Sequence, residues 1–117
     1  MTNVKKITVL RPKPETKVFF ELCEYLKVPE TSGCYVLTNN SGDILYIGQT
    51  DNLHRRFQEH LDDSQKTQLT SEGRVFWFYY LLCEERDLDL LENSWLNVYE
   101  TYNGHLPILN KRRAPRP

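Results

Sequence analysis

The pattern of apolar and polar positions predicts a β-hairpin in the first half of the chain. Two runs rich in aliphatic, β-branched and aromatic residues, 34–38 and 44–48, flank the segment 39–43, which consists of Asn, Ser, Gly and Asp. The two runs are typical of strands, and the composition between them is typical of a turn. The rest of the prediction is built around this hairpin.

The register of the hairpin decides which side chains meet. If the turn has an even number of residues centred on 40–41, Tyr35 lies opposite Tyr46, and Gly33 lies opposite Gly48. Residues that face each other across a hairpin share one side of the sheet. Two phenols would then converge beside a strip without side chains, and such a strip lets another backbone approach closely.

The middle of the chain predicts a helix, a loop and a strand. Apolar residues repeat every four positions over 53–61, which predicts a helix with an N-cap at Thr50 or Asp51. The polar segment 62–74 is predicted to be a mobile loop. Eight consecutive apolar or aromatic residues at 75–82 predict the central strand, buried on both faces.

The two ends of the chain predict further helices. Apolar residues three and four apart predict a helix over 87–102 that ends at 103–104, an Asn-Gly pair, and residues 106–110 return in an extended conformation. Near the N-terminus, 5–10 is predicted to be an edge strand. The segment 14–27 begins with proline and has helical apolar spacing, which predicts a helix that covers the sheet.

These elements predict a mixed α/β (α+β) fold, in which a small three-stranded antiparallel sheet is flanked by helices. We divide the chain into an N-terminal extension with the covering helix (1–30), a core (31–112) and a basic tail (113–117). A chain of 117 residues suits one such domain with one modest core.

Composition indicates the cellular compartment in which we expect the protein. No apolar run approaches the ~20 residues that a membrane span needs, and no secretory signal opens the chain. The cysteines are odd in number and widely spaced, and they form no zinc pattern with the histidines, which is typical of small buried hydrophobes in a reducing compartment. We expect an intracellular, cytoplasmic protein, and a nucleoid-associated or nuclear location stays open.

Charge is distributed unevenly. The net charge of −1 does not by itself indicate a nucleic-acid partner. The last seven residues nevertheless hold four basic residues and no acid: Lys111, Arg112, Arg113 and Arg116.

Three polar residues lie at positions where chemistry is conceivable. Arg56 and His60 are four apart, so they lie on one face of the predicted helix 53–61. Glu92 lies at the flank of the buried stripe of the long helix, four residues from leucines on either side. Taken singly, each has an ordinary explanation as a surface or boundary residue, and paired tyrosines are ordinary in sheets.

Taken together and in this order, the motifs favour chemical roles over the ordinary structural explanations, because the set resembles the GIY-YIG nuclease superfamily. The resemblance covers roughly 32–112 and rests on these segments: Gly33-Cys34-Tyr35, Tyr46-Ile47-Gly48 with the following residues to His60, Leu90-Leu91-Glu92-Asn93-Ser94-Trp95, and Pro107 with Asn110. It implies a metal-dependent phosphodiesterase that acts on DNA, with a small three-stranded sheet flanked by helices.

The resemblance also implies roles for individual residues. Tyr35 and Tyr46 match the two motif tyrosines, and Arg56 matches the helical arginine. His60 matches a position that holds histidine or tyrosine in relatives. Glu92 matches the metal-binding glutamate. The C-terminal asparagine that supports the site corresponds to Asn110.

These roles suit phosphodiester hydrolysis. Mg²⁺, or Mn²⁺ in its place, prefers one carboxylate with waters and a phosphate oxygen, and Glu92 is the predicted ligand. Arg56 can fork onto phosphate oxygens. Tyr35 is predicted to accept the proton from water, helped by Tyr46 or His60, and the sequence does not decide which of the three does so. An unperturbed phenol is only ~0.1% ionised at pH 7, so the base needs help from nearby positive charge.

Further residues are predicted to hold the substrate. Gly33 and Gly48 leave room for its backbone, and Gln49 stands where many relatives have lysine or arginine. The basic residues of the tail add phosphate contacts: Lys111, Arg112 and Arg113. Binding is expected to be weak and salt-sensitive, or to depend on a homodimer or a partner protein. Cys34 replaces the usual isoleucine of the first motif, which affects packing alone.

Two functions from different classes follow from the same residues. The first is a DNA endonuclease, with RNA open as a substrate because the site contacts phosphates and no base-reading element is visible. The second is a nucleic-acid-binding or protein-interaction module on the same fold with little or no catalysis. The intact set of tyrosines, arginine and glutamate favours the first, and Gln49 favours the second.

Overall fold

A four-stranded antiparallel sheet forms the centre of the fold, in a computed structural model that describes residues 4–110. Its strands are β1 (Thr16–Phe19), β2 (Gly33–Thr38), β3 (Ile44–Thr50) and β4 (Trp77–Leu82), in the spatial order β1-β4-β2-β3. The α-helices are α1 (Leu53–Leu61), α2 (Ser64–Thr67) and α3 (Leu88–Asn103), and short 3₁₀ helices occupy Ile7–Val9, Leu22–Lys27 and Glu85–Asp87. The predicted mixed α/β class is confirmed, with four strands where the sequence predicted three.

Each face of the sheet carries its own hydrophobic core, because successive strand residues point to opposite faces. On the face that we call the α3 face, the core includes Cys34, Val36, Ile47, Tyr79 and Trp95. On the opposite face, which we call the α1 face, it includes Tyr35, Leu37, Leu53, Phe57 and Phe78. The long helix and the short helix are therefore on opposite sides of the sheet.

The hairpin forms as predicted, but its register is shifted by two residues. Tyr35 pairs with Gly48, Leu37 pairs with Tyr46, and Gly33 pairs with Thr50. The predicted pairing of Tyr35 with Tyr46 is therefore wrong. Both phenols still share the α1 face, because a shift of two residues preserves the alternation of a strand.

Two local irregularities cause the shift. Thr38 pairs with Ile44, which leaves a turn of odd length (39–43) where the prediction assumed an even one. A bulge between Leu37 and Thr38 then moves the register by one further residue. Gly42 takes the left-handed conformation in the turn, with φ 87°.

Helix α1 has the predicted bounds but a different cap. The side chain of Asn52 accepts a hydrogen bond from the backbone N–H of Arg55 at 3.0 Å. The predicted caps, Thr50 and Asp51, precede this position, and Thr50 instead accepts a bond from the N–H of Asn52 at 3.0 Å. One residue, Asp51, separates this cap from the end of β3, so the helix starts close to the sheet edge.

The apolar run at 75–82 contains the interior strand β4, as predicted. Phe78 faces the α1 core and Tyr79 faces the α3 core, so the middle of the strand is buried on both sides. Helix α3 is also confirmed, and Gly104 ends it in the left-handed conformation with φ 78°.

The predicted covering helix over 14–27 is wrong. Its first half is strand β1, which pairs with β4, and its second half is the 3₁₀ helix Leu22–Lys27. Leu22 and Leu26, two of the apolar residues whose helical spacing led to that prediction, are 63% and 79% exposed. Pairing of β1 with the apolar strand β4 outweighs the tendency of the segment to form a helix, because tertiary contacts override local helix preference.

Other segments differ in detail. The predicted edge strand at 5–10 is a 3₁₀ turn, and Lys6 forms an isolated bridge with Asp43. Part of the predicted loop 62–74 forms α2. Residues 107–110 make a turn, closed by a bond from the N–H of Asn110 to the carbonyl of Pro107. Cys23 is exposed, contrary to the prediction that the cysteines are buried.

Within residues 4–110, no helix combines the length and the apolarity that crossing a bilayer requires. The predicted substrate contacts of the basic tail lie outside the described residues: Lys111, Arg112 and Arg113.

Candidate active site

A buried phenol on the α1 face is the centre of the first group of polar residues. Tyr35 is fully buried, and its Oη lies 2.6 Å from Nε2 of His60. The Nε–H of Arg56 donates to the same oxygen at 3.3 Å. Arg56 and His60 are one helical turn apart on α1, so the predicted shared face of the helix brings both onto Tyr35.

The absence of a side chain at Gly48 makes room for this phenol. A Cβ built at Gly48 would lie 2.6 Å from Oη of Tyr35 and 2.8 Å from Cε2 of Tyr46. At Gly33, a Cβ would lie 2.6 Å from the carbonyl oxygen of Leu81. The space beside both glycines is therefore filled by the protein itself, which corrects the prediction that they leave room for a substrate backbone.

We expect Gly48→Ala to lower the free energy of unfolding by about 1–3 kcal/mol, because the new methyl overpacks a site between two rings. Tyr35 has little freedom to move, since its ring is stacked on Phe78 at 5.2 Å. Gly33→Ala is expected to have a larger effect, because the clashing atom is backbone. Urea unfolding of both variants tests this order, and an unchanged Gly48→Ala would mean that the rings yield.

The histidine of this group is neutral. Burial, followed by the positive charges of Arg56 and Lys66, lowers the pKa of His60 from its ordinary 6.5 to about 3. A neutral imidazole has one acceptor nitrogen. Because Arg56 donates to the Tyr35 oxygen, we assign the phenol proton to the bond with Nε2, which places the ring proton of His60 on Nδ1.

This lowered pKa predicts acid sensitivity. Between pH 6.5 and about 3, the unfolded chain binds a proton at His60 that the folded chain does not bind, so stability falls as pH falls. His60 alone contributes a slope of about 1.4 kcal/mol per pH unit in this range. His60→Gln should flatten the dependence of unfolding free energy on pH by that amount. His105→Gln, an exposed position, is the control, and equal slopes in both variants would contradict the assignment.

The second phenol lies beside the first and is less deeply buried. The rings of Tyr35 and Tyr46 are 6.0 Å apart, and Tyr46 is half-buried. Burial, followed by the neighbouring Tyr46, raises the pKa of Tyr35 well above its ordinary value of 10, against the opposing charge of Arg56. The Nζ of Lys66 lies 4.7 Å from the centre of the Tyr46 ring. No local pattern in the sequence indicates Lys66, because it meets Tyr46 only through the fold of the segment that contains α2.

A second group of polar residues, which contains two carboxylates, lies on the opposite face at the end of β3. Nε2 of Gln49 donates to Oε1 of Glu92 at 2.8 Å and to Oδ1 of Asp89 at 2.5 Å. Asp89 and Glu92 are three residues apart on α3, so they project from one side of the helix. Asp89 was missed in the sequence, although its spacing from Glu92 is the signal that could have found it.

These oxygens suit a hard divalent cation. The carboxylates of Asp89 and Glu92 both accept from Nε2 of Gln49, so their oxygens lie close together beside the end of β3. Mg²⁺ is typically held by one or two carboxylates together with waters. Between residues 4 and 110, no cluster of three or more His, Cys, Asp or Glu side chains is arranged to hold a metal. The donor set therefore fits a cation that keeps much of its hydration.

The asparagine near the end of the chain fixes the strand between the two groups. Nδ2 of Asn110 donates to the carbonyl of Ile47 at 3.0 Å, and its Oδ1 accepts from the N–H of Ile47 at 2.9 Å. Both bonds satisfy the backbone on the outer side of β3, the edge strand of the described sheet. Asn110 therefore supports the backbone that connects Tyr46 with Gln49.

The predicted residues thus assemble as two groups flanking one edge strand. Tyr35, Tyr46, Arg56 and His60 come together on the α1 face, while Glu92 and Gln49 meet on the α3 face. Tyr46 and Gln49 are three positions apart on β3, a distance of about 10 Å along the strand. A substrate that contacts both groups would have to lie around the edge of this strand.

Comparison with known proteins identifies the same region of the chain. Residues 31–104 match the family model described as the GIY-YIG catalytic domain. The UvrABC system protein C of Porphyromonas gingivalis is 33% identical over 102 residues, which are 77% of this chain and 17% of that protein. The same protein of Mycoplasma genitalium is 30% identical over 74 residues, 62% of this chain and 12% of that protein. The chain spans about a sixth of the length of the first of these relatives.

Solved structures show the same fold. The GIY-YIG N-terminal endonuclease domain of UvrC from Thermotoga maritima bound to magnesium superposes with a TM-score of 0.57 and 23% identity, over 75% of this chain and 92% of that one. A point mutant of the same domain, bound to its catalytic divalent cation, gives 0.55 and 23%, over 77% and 93%. At this level of identity, the likeness concerns the fold.

Proposed function

Because the chain belongs to the GIY-YIG catalytic domain family, we propose that it is a metal-dependent endonuclease that hydrolyses phosphodiester bonds in DNA. The observation that carries the proposal is the convergence of a phenol, a guanidinium and a neutral imidazole at Tyr35, Arg56 and His60. We do not transfer the substrate of the full-length relatives to this chain, because the chain covers only 17% of the length of the first of them. RNA remains the alternative substrate, because every proposed contact is to phosphate.

Arg56 is the residue that we assign to the scissile phosphate. Its Nε is engaged by Tyr35 and its Nη1 by Glu59 at 2.9 Å. The side chain is 37% exposed, and a guanidinium has five donors, so further N–H groups are available for a phosphate oxygen. Positive charge held in place before the reaction stabilises the charge that develops in the transition state.

We assign proton acceptance to Tyr46 in place of the predicted Tyr35. Tyr35 has no exposed surface, and its raised pKa opposes ionisation. Tyr46 is half-buried, so its phenol is accessible to a water that attacks the phosphorus. Tyr35, held by His60 and Arg56, then positions Tyr46 and Arg56 relative to each other.

Glu92 is the proposed ligand of a divalent cation, with Asp89 beside it. When bound, Mg²⁺ would neutralise charge on the phosphate oxygens and polarise a water. Gln49 donates to both carboxylates and so holds them on the side of α3 that faces the edge of β3. Asn110 keeps the intervening strand in place.

One observation favours the second candidate, a nucleic-acid-binding or protein-interaction module without catalysis. The single amide nitrogen of Gln49 donates to one oxygen of Asp89 and to one of Glu92. These bonds satisfy part of the acceptor capacity of the two carboxylates without a metal, although both keep their negative charge. The position of the two groups on opposite faces of the sheet is also compatible with binding alone.

Nicking of supercoiled plasmid distinguishes these functions. We expect purified wild-type protein to nick plasmid in the presence of Mg²⁺ or Mn²⁺ and to stop when the cation is chelated. Arg56→Gln should reduce the rate by about a hundredfold or more, the effect of removing one charged donor from a transition state. Plasmid that stays supercoiled at all metal concentrations, while a gel-shift assay shows binding, would establish the module instead.

A further inference from the structure

The sheet edge farthest from the proposed nuclease site carries an unusual aromatic surface. Phe19 of β1 and Trp77 of β4 are paired across the strands, and their rings stack with centroids 4.5 Å apart and planes 19° apart. Phe76 meets the ring of Phe19 edge-on at 5.5 Å. Phe19 is 45% exposed and Phe76 is 39% exposed.

One lysine lies over these rings, and a second lines the neighbouring cavity. The Nζ of Lys17 lies 4.0 Å from the centre of the Trp77 ring and 5.5 Å from that of Tyr79. Lys13 and Lys17 both line a cavity of about 390 Å³ between β1 and the hairpin turn. Lys6 also lines it but is paired with Asp43 at 3.3 Å.

Two of these charges are available to a ligand. Among residues 4–110, no carboxylate lies within ion-pairing distance of Lys13 or Lys17, which contrasts with the lysines at 5, 6, 27 and 66. Glu15 is the one acidic residue among the described residues that line the cavity. Within residues 4–110, the long helix α3 packs against β2 and β3, so the surface combines positive charge with planar rings that α3 leaves uncovered.

This combination fits one class of ligand best. Unpaired nucleobases stack on exposed aromatic rings of proteins, and neighbouring lysines contact the phosphates between them. The Trp77–Phe19 pair is already a parallel stack, and a base placed on the outer face of Phe19 would extend it. An apolar protein partner would gain nothing from Lys13 and Lys17, and paired bases inside a duplex do not present their faces.

We propose that this aromatic and basic surface, formed by Lys13, Lys17, Phe19, Phe76 and Trp77, binds single-stranded nucleic acid separately from the nuclease site. Bases stack on Phe19, and phosphates contact Lys13 and Lys17. The surface holds no residue of the proposed cation or phosphate chemistry, so binding here requires no divalent metal. It would retain an unpaired strand on the protein irrespective of cleavage.

Fluorescence anisotropy with a labelled oligothymidylate, in EDTA, tests the proposal. We expect Phe19→Ala to weaken binding by about tenfold, in line with the loss of one stacked base. Leu90→Ala is the matched control, since Leu90 is 76% exposed on α3, and it should bind as the wild type does. Equal affinity of wild type and Phe19→Ala, or absence of binding by the wild type, would overturn the proposal.

A second variant does not depend on the aromatic packing. The double variant Lys13→Gln and Lys17→Gln should weaken binding and reduce the slope of log affinity against log salt by about 1.4, since each phosphate contact on a single strand contributes about 0.7. Lys27→Gln, on the 3₁₀ helix, should leave the slope unchanged. A slope equal to that of wild type in the double variant would assign binding to another surface.

The outcome is separable from that of the proposed nuclease. The oligonucleotide is measured without metal, and a Glu92→Gln protein should bind it with wild-type affinity. Failure of plasmid nicking with retained, Phe19-dependent binding would reject the nuclease alone. A duplex of the same length should bind without dependence on Phe19, whereas equal dependence for duplex and single strand would reject the stacking role.

Discussion

Glu92→Gln is expected to reduce Mg²⁺-dependent nicking by about a thousandfold, or roughly 4 kcal/mol of transition-state stabilisation. The substitution removes the negative charge and keeps the shape, so the amide oxygen of the variant can still accept from Nε2 of Gln49. Loss of activity would then reflect loss of the cation and not collapse of α3. Calorimetric titration with Mg²⁺ should show binding to wild type and none, or much weaker binding, to the variant.

Two related variants calibrate this result. Asp89→Asn should weaken Mg²⁺ binding less than Glu92→Gln does, because we assign Asp89 a place beside the cation and not the direct ligand position. Glu85→Gln, an exposed carboxylate that precedes α3, should nick plasmid and bind Mg²⁺ as the wild type does. Wild-type cation affinity in Glu92→Gln would contradict the assignment.

Replacement of the two phenols should affect different properties, turnover for Tyr46 and stability for Tyr35. Tyr46→Phe is expected to lower the turnover rate by about a thousandfold, the middle of the range for general acid–base catalysis, with little change in stability. Tyr35→Phe is expected to lower the free energy of unfolding by about 1–3 kcal/mol, because it leaves His60 and Arg56 without their shared partner in a buried site. Its effect on turnover should be smaller.

Single-turnover nicking and urea unfolding of both variants decide between the phenols. A thousandfold loss in Tyr35→Phe with an active Tyr46→Phe would restore the assignment made from the sequence, in which Tyr35 is the base. The pH dependence of the rate adds a second readout, since removal of the base should abolish the ascending limb, whereas removal of a positioning residue should leave its shape unchanged.

The difference between the two phenols illustrates why burial has to be known before a role is assigned. In sequence, Tyr35 and Tyr46 are equivalent members of paired motifs on neighbouring strands. In the structure, Tyr35 lies beneath α1, stacked on Phe78 and fully buried, while Tyr46 lies on the edge strand and is half-buried. The packing of α1 and β4 produces this asymmetry, and no local pattern around either tyrosine reports it.

The N-terminal segment shows how non-local pairing can override a local pattern. Phe19, Leu22 and Leu26 have helical spacing, yet Phe19 lies in β1 and the two leucines remain exposed. The partner that makes β1 a strand is β4, some sixty residues later in the chain. The same pairing creates the Phe19–Trp77 stack, so the proposed single-strand surface was invisible in the sequence.

The sequence by itself determined the features that depend on short-range geometry. The four-residue interval between Arg56 and His60 placed both on one face of α1. The shared face of the two phenols was predicted from a register that is wrong, and it is the bulge between Leu37 and Thr38 that returns Tyr46 to the face of Tyr35. Tertiary structure alone decided the hairpin register, the burial of Tyr35, the meeting of Gln49 with Asp89 and Glu92, and the positions of the two groups around β3. Periodicity is set by bond geometry within a few residues, whereas these contacts depend on how distant elements pack.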